Sequence, residues 1–116
     1  ASAKHLLQYW KGTTSQKLKY TRQPDAMANC LICCADSDHS GDLDTRHSVT
    51  GYVVLLNSAV VSWQSTRQQV TALSTAEAEY YAVSVAGTDV TYMHCIMEDL
   101  GFKQQGPTVL WEDNMA

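Results

Sequence analysis

Apolar positions along this chain switch between a helical and a strand period, and the switches mark its elements. Leu6, Leu7 and Trp10 recur at three- and four-residue spacing, which predicts a helix over residues 3–11 with Lys11 in its last turn and Gly12 as its stop. Lys17 to Thr21 alternates polar and apolar, as a half-exposed strand does. Gln23-Pro24-Asp25 reads as a turn or short linker. From Asn29 the character changes. Cys30 to Ala35 is a continuous apolar run, expected of a central strand ending at Asp36, and a polar loop containing Gly41 follows through Ser48. Residues 52–56 and 59–63 read as two more strands, joined by the two-residue hairpin signal Asn57-Ser58.

Ser74-Thr75-Ala76-Glu77 is a capping box that opens a long helix. Its apolar positions are Ala76, Tyr80, Val83, Ala86, Val90, Met93, Met97 and Leu100; Gly87-Thr88-Asp89 is a place for a kink, and Gly101 ends it. After Gly106-Pro107, residues 108–112 form a short strand. Three strands containing a hairpin, then a helical crossover into a fourth strand, predict an α/β fold. Its sheet is mixed, with three antiparallel strands and a last strand parallel to a neighbour.

Composition narrows the class. The chain has 116 residues, 45% hydrophobic and 17% charged, enough for one globular domain with a modest core. It contains no apolar run near the roughly 18 residues of a membrane span, and no signal-peptide pattern. It opens Ala-Ser-Ala-Lys and runs straight into a helical pattern, as expected of a piece of something longer. The net charge of −4 hides an asymmetry: Lys4, Lys11, Lys17, Lys19 and Arg22 all precede the first acid, Asp25. Such a basic arm suits a phosphate backbone, or is simply a solvated surface. Cys30-x-x-Cys33, with His94 and Cys95, offers a zinc set. On a strand, however, Cys30 and Cys33 point to opposite faces, which favours free thiols packing as small hydrophobes in a reducing compartment.

Carboxylates supply the main chemical clue. Asp36 ends the first strand, Glu77 and Glu79 stand on the helix, and Asp113 ends the last strand. If those two strands are parallel neighbours, Asp36 and Asp113 meet at one sheet edge, and the start of the helix packs near it. Glu77 and Glu79 project about 200° apart, so one faces the core. Glu77 is the capping-box partner of Ser74, which leaves Glu79 inward. A buried carboxylate needs a positive partner, and neither Lys nor Arg occurs between Arg67 and Lys103. A hard divalent cation, Mg²⁺ or Mn²⁺, meets that need. Two such ions about 4 Å apart activate a water and stabilise the leaving oxygen of a phosphodiester. The alternative is three separately solvated acids.

The motifs that surround these acids are distinctive. They are Ala-Asp-Ser-Asp-His-Ser-Gly-Asp-Leu-Asp-Thr-Arg-His-Ser-Val-Thr-Gly-Tyr at 35–52, Val-Ser-Trp-Gln-Ser-Thr-Arg-Gln at 61–68, Ala-Leu-Ser-Thr-Ala-Glu-Ala-Glu-Tyr at 72–80 and Trp-Glu-Asp-Asn at 111–114. In that order they resemble the ribonuclease H domain of copia-type LTR retrotransposon polyproteins. The resemblance implies a linker from the reverse transcriptase over 1–25 and an RNase H-like domain over 26–116. It implies cleavage of the RNA strand of RNA–DNA hybrids with two Mg²⁺ ions, in a cytoplasmic retrotransposon particle, beside the reverse transcriptase of the same polyprotein. By motif position it implies Asp36, Glu79 and Asp113 as the metal-binding catalytic carboxylates. Ser37, Ser40, Gly41 and Gln68 are expected to contact the nucleic acid, where 2′-hydroxyls distinguish RNA.

There are departures from the family pattern. His39 stands for the usual Trp, and Cys34-Ala35 stands where Tyr-Ser is common. The family's fourth acid, its neighbouring His, the last strand and the C-terminal helix lie past residue 116, so this chain reads as C-terminally truncated. That leaves open a catalytically inactive relic that at most binds nucleic acid or metal.

Overall fold

In the computed structural model, the described residues are 2–22, 24, 29–39 and 47–113. Their elements run α1 (Ser2–Gly12), β1 (Leu31–Asp38), β2 (Val49–Leu56), β3 (Ala59–Arg67), α2 (Thr75–Asp99) and β4 (Val109–Trp111). The four strands form one sheet in the order β3-β2-β1-β4. β1 pairs antiparallel with β2, and β2 with β3, while β4 lies parallel to β1. The predicted mixed sheet with a parallel fourth strand is therefore present.

The hairpin between β2 and β3 turns at Asn57 and Ser58, both left-handed (φ 54° and 65°), the backbone of a type I′ turn that matches strand twist. The strands outrun the apolar runs that announce them. β1 continues through Asp38, β2 begins at Val49 and β3 ends at Arg67. Backbone pairing needs no apolar side chain, and Asp36, Ser37 and Asp38 keep their register with Gly51, Thr50 and Val49.

β1 alternates strictly. Leu31, Cys33, Ala35 and Ser37 are buried under α2, whereas Cys34, Asp36 and Asp38 are exposed. The core joins Leu31, Cys33, Ala35 and Val54 to Ala86 and Met97 of α2, with Tyr52, Leu56, Val90 and Leu110 around them. Burial of a side chain the size of Val54 or Met97 contributes about 1.5–3 kcal/mol. The other sheet face is open. Trp63, Val53, Cys34 and Trp111 stand in one row across all four strands, with both indoles largely exposed.

α2 is one unbroken helix of 25 residues, without a kink at Gly87. Ser74 caps it as predicted, its hydroxyl accepting from the Glu77 N–H (3.1 Å), while the Glu77 carboxylate accepts from the Leu73 N–H (2.7 Å). The far end closes on Gly101 (φ 85°) in a Schellman motif, with Phe102 N–H bonded to Met97 O and Gly101 N–H to Glu98 O. Its buried stripe differs from the predicted one. Ala78, Ala82 and Ala86 are fully buried, whereas Tyr80 and Leu100 are exposed. Three alanines at four-residue spacing let the helix sit close on the sheet, and the bulkier Tyr80 is turned out.

Lys17–Thr21 is not a strand. No strand partner pairs with it among the described residues, and its one described tertiary bond is from the Tyr20 hydroxyl to Val60 O (2.8 Å). The predicted apolar face of α1 is likewise exposed at Leu6, Leu7 and Trp10.

Candidate metal centre

Parallel pairing of β1 and β4 sets Cys34 opposite Trp111. Two residues further along each chain stand Asp36 and Asp113, at the same edge of the sheet. α2 runs back across the sheet from that edge. Near its start the Ala78 carbonyl meets the Ser37 region, and beyond its end Gln104 bonds Leu31 N–H and Asn29 O at the opposite edge. Glu79, in the second turn of α2, is thereby delivered to the two aspartates.

The three carboxylates converge: one oxygen from each of Asp36, Glu79 and Asp113 lies within 4.8 Å of the others. Asp36 and Asp113 are exposed and Glu79 is half-buried. The Ser37 backbone N–H serves two of them, bonding Asp36 Oδ1 at 2.7 Å and also Glu79. The remaining Glu79 oxygen, Oε2, is buried and has no hydrogen-bond partner among the described residues. Burial, and then the charges of Asp36, Glu112 and Asp113, push the Glu79 carboxyl above its usual range, against the lowering effect of the Ser37 N–H.

No side-chain cation answers this charge among the described residues. Lys103, the first base after Arg67, is spent on Glu98 at 2.7 Å on the exposed end of α2. An all-oxygen donor set with an orphaned buried carboxylate oxygen fits Mg²⁺ or Mn²⁺.

The expected nucleic-acid contacts fare differently. Ser37 and Gln68 are buried, 8% and 1% exposed, and both side chains turn inward. The Gln68 amide nitrogen lies 2.9 Å from Thr50 Oγ1, 3.0 Å from Ala78 O and 3.3 Å from Ser37 Oγ. Neither side chain is presented to a ligand. The reason is the extra length of the strands: Ser37 falls on the inner face of β1, and Gln68 follows directly on β3, its N–H bonded to Ser48 O at 2.8 Å. Ser40 and Gly41 lie outside the described residues.

The cysteine set does not assemble. Cys33 is buried while Cys30 and Cys95 are exposed, and His94 Nε2 is hydrogen-bonded to the Thr108 hydroxyl at 2.7 Å. Burial, with Cys34 and Asp89 adding to it, pushes the Cys33 thiol up to about 11, as expected of a thiol packed as a small hydrophobe. Among the described residues, the acidic cluster is the one group of three such side chains whose ligand atoms lie close enough together to hold a metal ion.

Thr50 was not singled out from the sequence, and Gln68 was expected there only as a nucleic-acid contact, not as a buried amide beside the carboxylates. The signal for Thr50 was its place on the same strand face as Tyr52 and Val54; for Gln68 no periodic signal exists.

No family model and no solved structure matches this chain. Among curated proteins it is 32% identical, over 99% of its length, to the retrovirus-related Pol polyprotein from transposon TNT 1-94 of Nicotiana tabacum. It is 29% identical over 97% of its length to that from transposon RE1 of Arabidopsis thaliana. It spans 8% of each of these polyproteins. It is also 37% identical, over 78% of its length, to the secreted RxLR effector protein 161 of Plasmopara viticola, of which it covers 61%. The homologues of this chain thus include retrotransposon Pol polyproteins.

Proposed function

We propose that this chain carries the metal-dependent ribonuclease H centre of a copia-type retrotransposon polyprotein, hydrolysing the RNA strand of RNA–DNA hybrids during reverse transcription. The observation that carries the proposal is the convergence of Asp36, Glu79 and Asp113, brought from two parallel strand ends and a helix start into one cluster that pairs with no Lys or Arg among the described residues. The Pol polyprotein homologues support the same reading.

Each residue has a distinct task. Asp36 is exposed at the edge of the open sheet face, where a phosphodiester backbone has access. Glu79 is held from beneath by the Ser37 N–H, so its free oxygen is fixed rather than mobile. Asp113 closes the cluster from the segment after β4, and Glu112 beside it adds to the negative potential. Mg²⁺ or Mn²⁺ held by these three residues would supply a water acidified toward neutral pH and neutralise the departing oxygen. The cleft formed by Cys34, Ala35, Asp36, Trp111, Glu112 and Asp113 leaves the cluster accessible from the open face. Ser40 and Gly41 remain the proposed 2′-hydroxyl contacts, and the reverse transcriptase of the polyprotein the proposed partner.

The test is cleavage of a labelled hybrid in Mg²⁺ and in Mn²⁺, with Asp36→Asn and Glu79→Gln in parallel. The expected result is cutting of the RNA strand alone, reduced to background in both variants. Wild-type rates in either variant would overturn the site assignment. Hybrid binding without turnover at any Mn²⁺ concentration would identify an inactive relic instead.

A further inference from the structure

Gln68 is a fully buried amide at the end of β3, and its position beneath the carboxylates is specific. Its side chain touches the residue before Glu79 (through Ala78 O), the residue after Asp36 (through Ser37 Oγ) and the residue before Gly51, the cross-strand neighbour of Asp36 (through Thr50 Oγ1). Orientation follows from chemistry. Ala78 O only accepts, so the amide nitrogen must face it and the amide oxygen must point away. That oxygen, Oε1, is buried without a partner among the described residues. A methionine of similar length would fill the same space without stranding a buried carbonyl, which carries a desolvation cost. The amide is therefore costly for the fold alone, and its gain lies in what it ties together.

We infer that Gln68 is a positioning residue for the metal centre, a strut that locks the first turns of α2 to β1 and β2 so that Glu79 and Asp36 hold one geometry. This rests on the metal-centre reading above. Two amide protons serve the two shorter contacts, Ala78 O and Thr50 Oγ1, and these join the helix to the sheet. Without the strut the Ala78 carbonyl loses its only described side-chain donor, and the helix start is free to shift on its alanine stripe. A shift of a fraction of an ångström is enough to weaken a site whose ligands come from separate elements.

The test is Mn²⁺ binding by the 116-residue chain without nucleic acid, followed by electron paramagnetic resonance. Wild type, Asp36→Asn, Gln68→Met and Thr50→Val are compared, each checked for a cooperative thermal transition. The expected result is binding by wild type, none by Asp36→Asn, and affinity lowered about 10–100-fold in a folded Gln68→Met. Thr50→Val, which removes one of the two short contacts, falls between. Should Gln68→Met fail to fold, Thr50→Val decides, since an unchanged affinity there overturns the strut. Wild-type affinity in folded Gln68→Met overturns the strut and leaves the metal centre standing. Absence of Mn²⁺ binding in wild type overturns the metal centre and the strut with it.

Discussion

Glu79 is the residue on which the site's electrostatics turn. Its carboxyl is raised by burial and by three neighbouring acids, so the folded chain binds this proton more tightly than the unfolded chain does. Without metal, stability must fall as pH rises from the ordinary glutamate range through the raised one, and the full penalty applies above it. Glu79→Gln removes the penalty and keeps an acceptor for the Ser37 N–H. In chelator, the variant should melt above wild type at pH 7 and level with it near pH 4; thermal melts at the two pH values check this. Added Mn²⁺ should reverse the order at pH 7 by stabilising wild type alone. Much of this site was legible in the sequence, because the absence of Lys and Arg between Arg67 and Lys103 and the capping role of Glu77 both pointed to Glu79. Gln68 was expected at the nucleic acid and not beneath the carboxylates, because a polar residue beyond a strand reads as loop until the strand ends are known.

At the scale of elements, α2 sets the distance between its carboxylate and the sheet. Ala78, Ala82 and Ala86 have no exposed surface, so the helix rests on methyl groups. Ala82→Leu should therefore cost about 1–3 kcal/mol by overpacking and lower Mn²⁺ affinity together with stability. Tyr80→Ala, on the exposed side, should stay within about 0.5 kcal/mol. Urea unfolding and metal titration of both variants check this. The order of elements, the hairpin, both ends of α2 and the parallel β4 were all predicted from periodicity and turn chemistry. The buried helix stripe was predicted in part: Ala86, Val90, Met93 and Met97 face the core as expected, whereas Ala78 and Ala82 replace the expected Tyr80 at the helix start. The loss of a strand at Lys17–Thr21 was not predicted, because alternation says nothing about whether a partner edge exists.

The whole molecule separates its charges. The five bases at the start precede every acid, and Lys17, Lys19 and Arg22 are exposed. In the proposed function this arm meets the phosphates while the acidic cluster repels them. Hybrid affinity should then fall steeply with salt, and Lys17→Gln/Lys19→Gln/Arg22→Gln should flatten the log–log slope by about 2–3. Fluorescence anisotropy across a salt series measures it.

β4 joins the sheet beside β1 only across the whole of α2, far along the chain from its partner. The aspartate that follows it therefore reaches Asp36 and Glu79 only when the crossover has closed. A chain still emerging from a ribosome can form the β1–β2–β3 meander early, from local contacts, yet it holds no three-acid cluster. The gathering of like charges is postponed to the slowest, most non-local pairing. A divalent ion captured at that moment would act as a latch on the crossover.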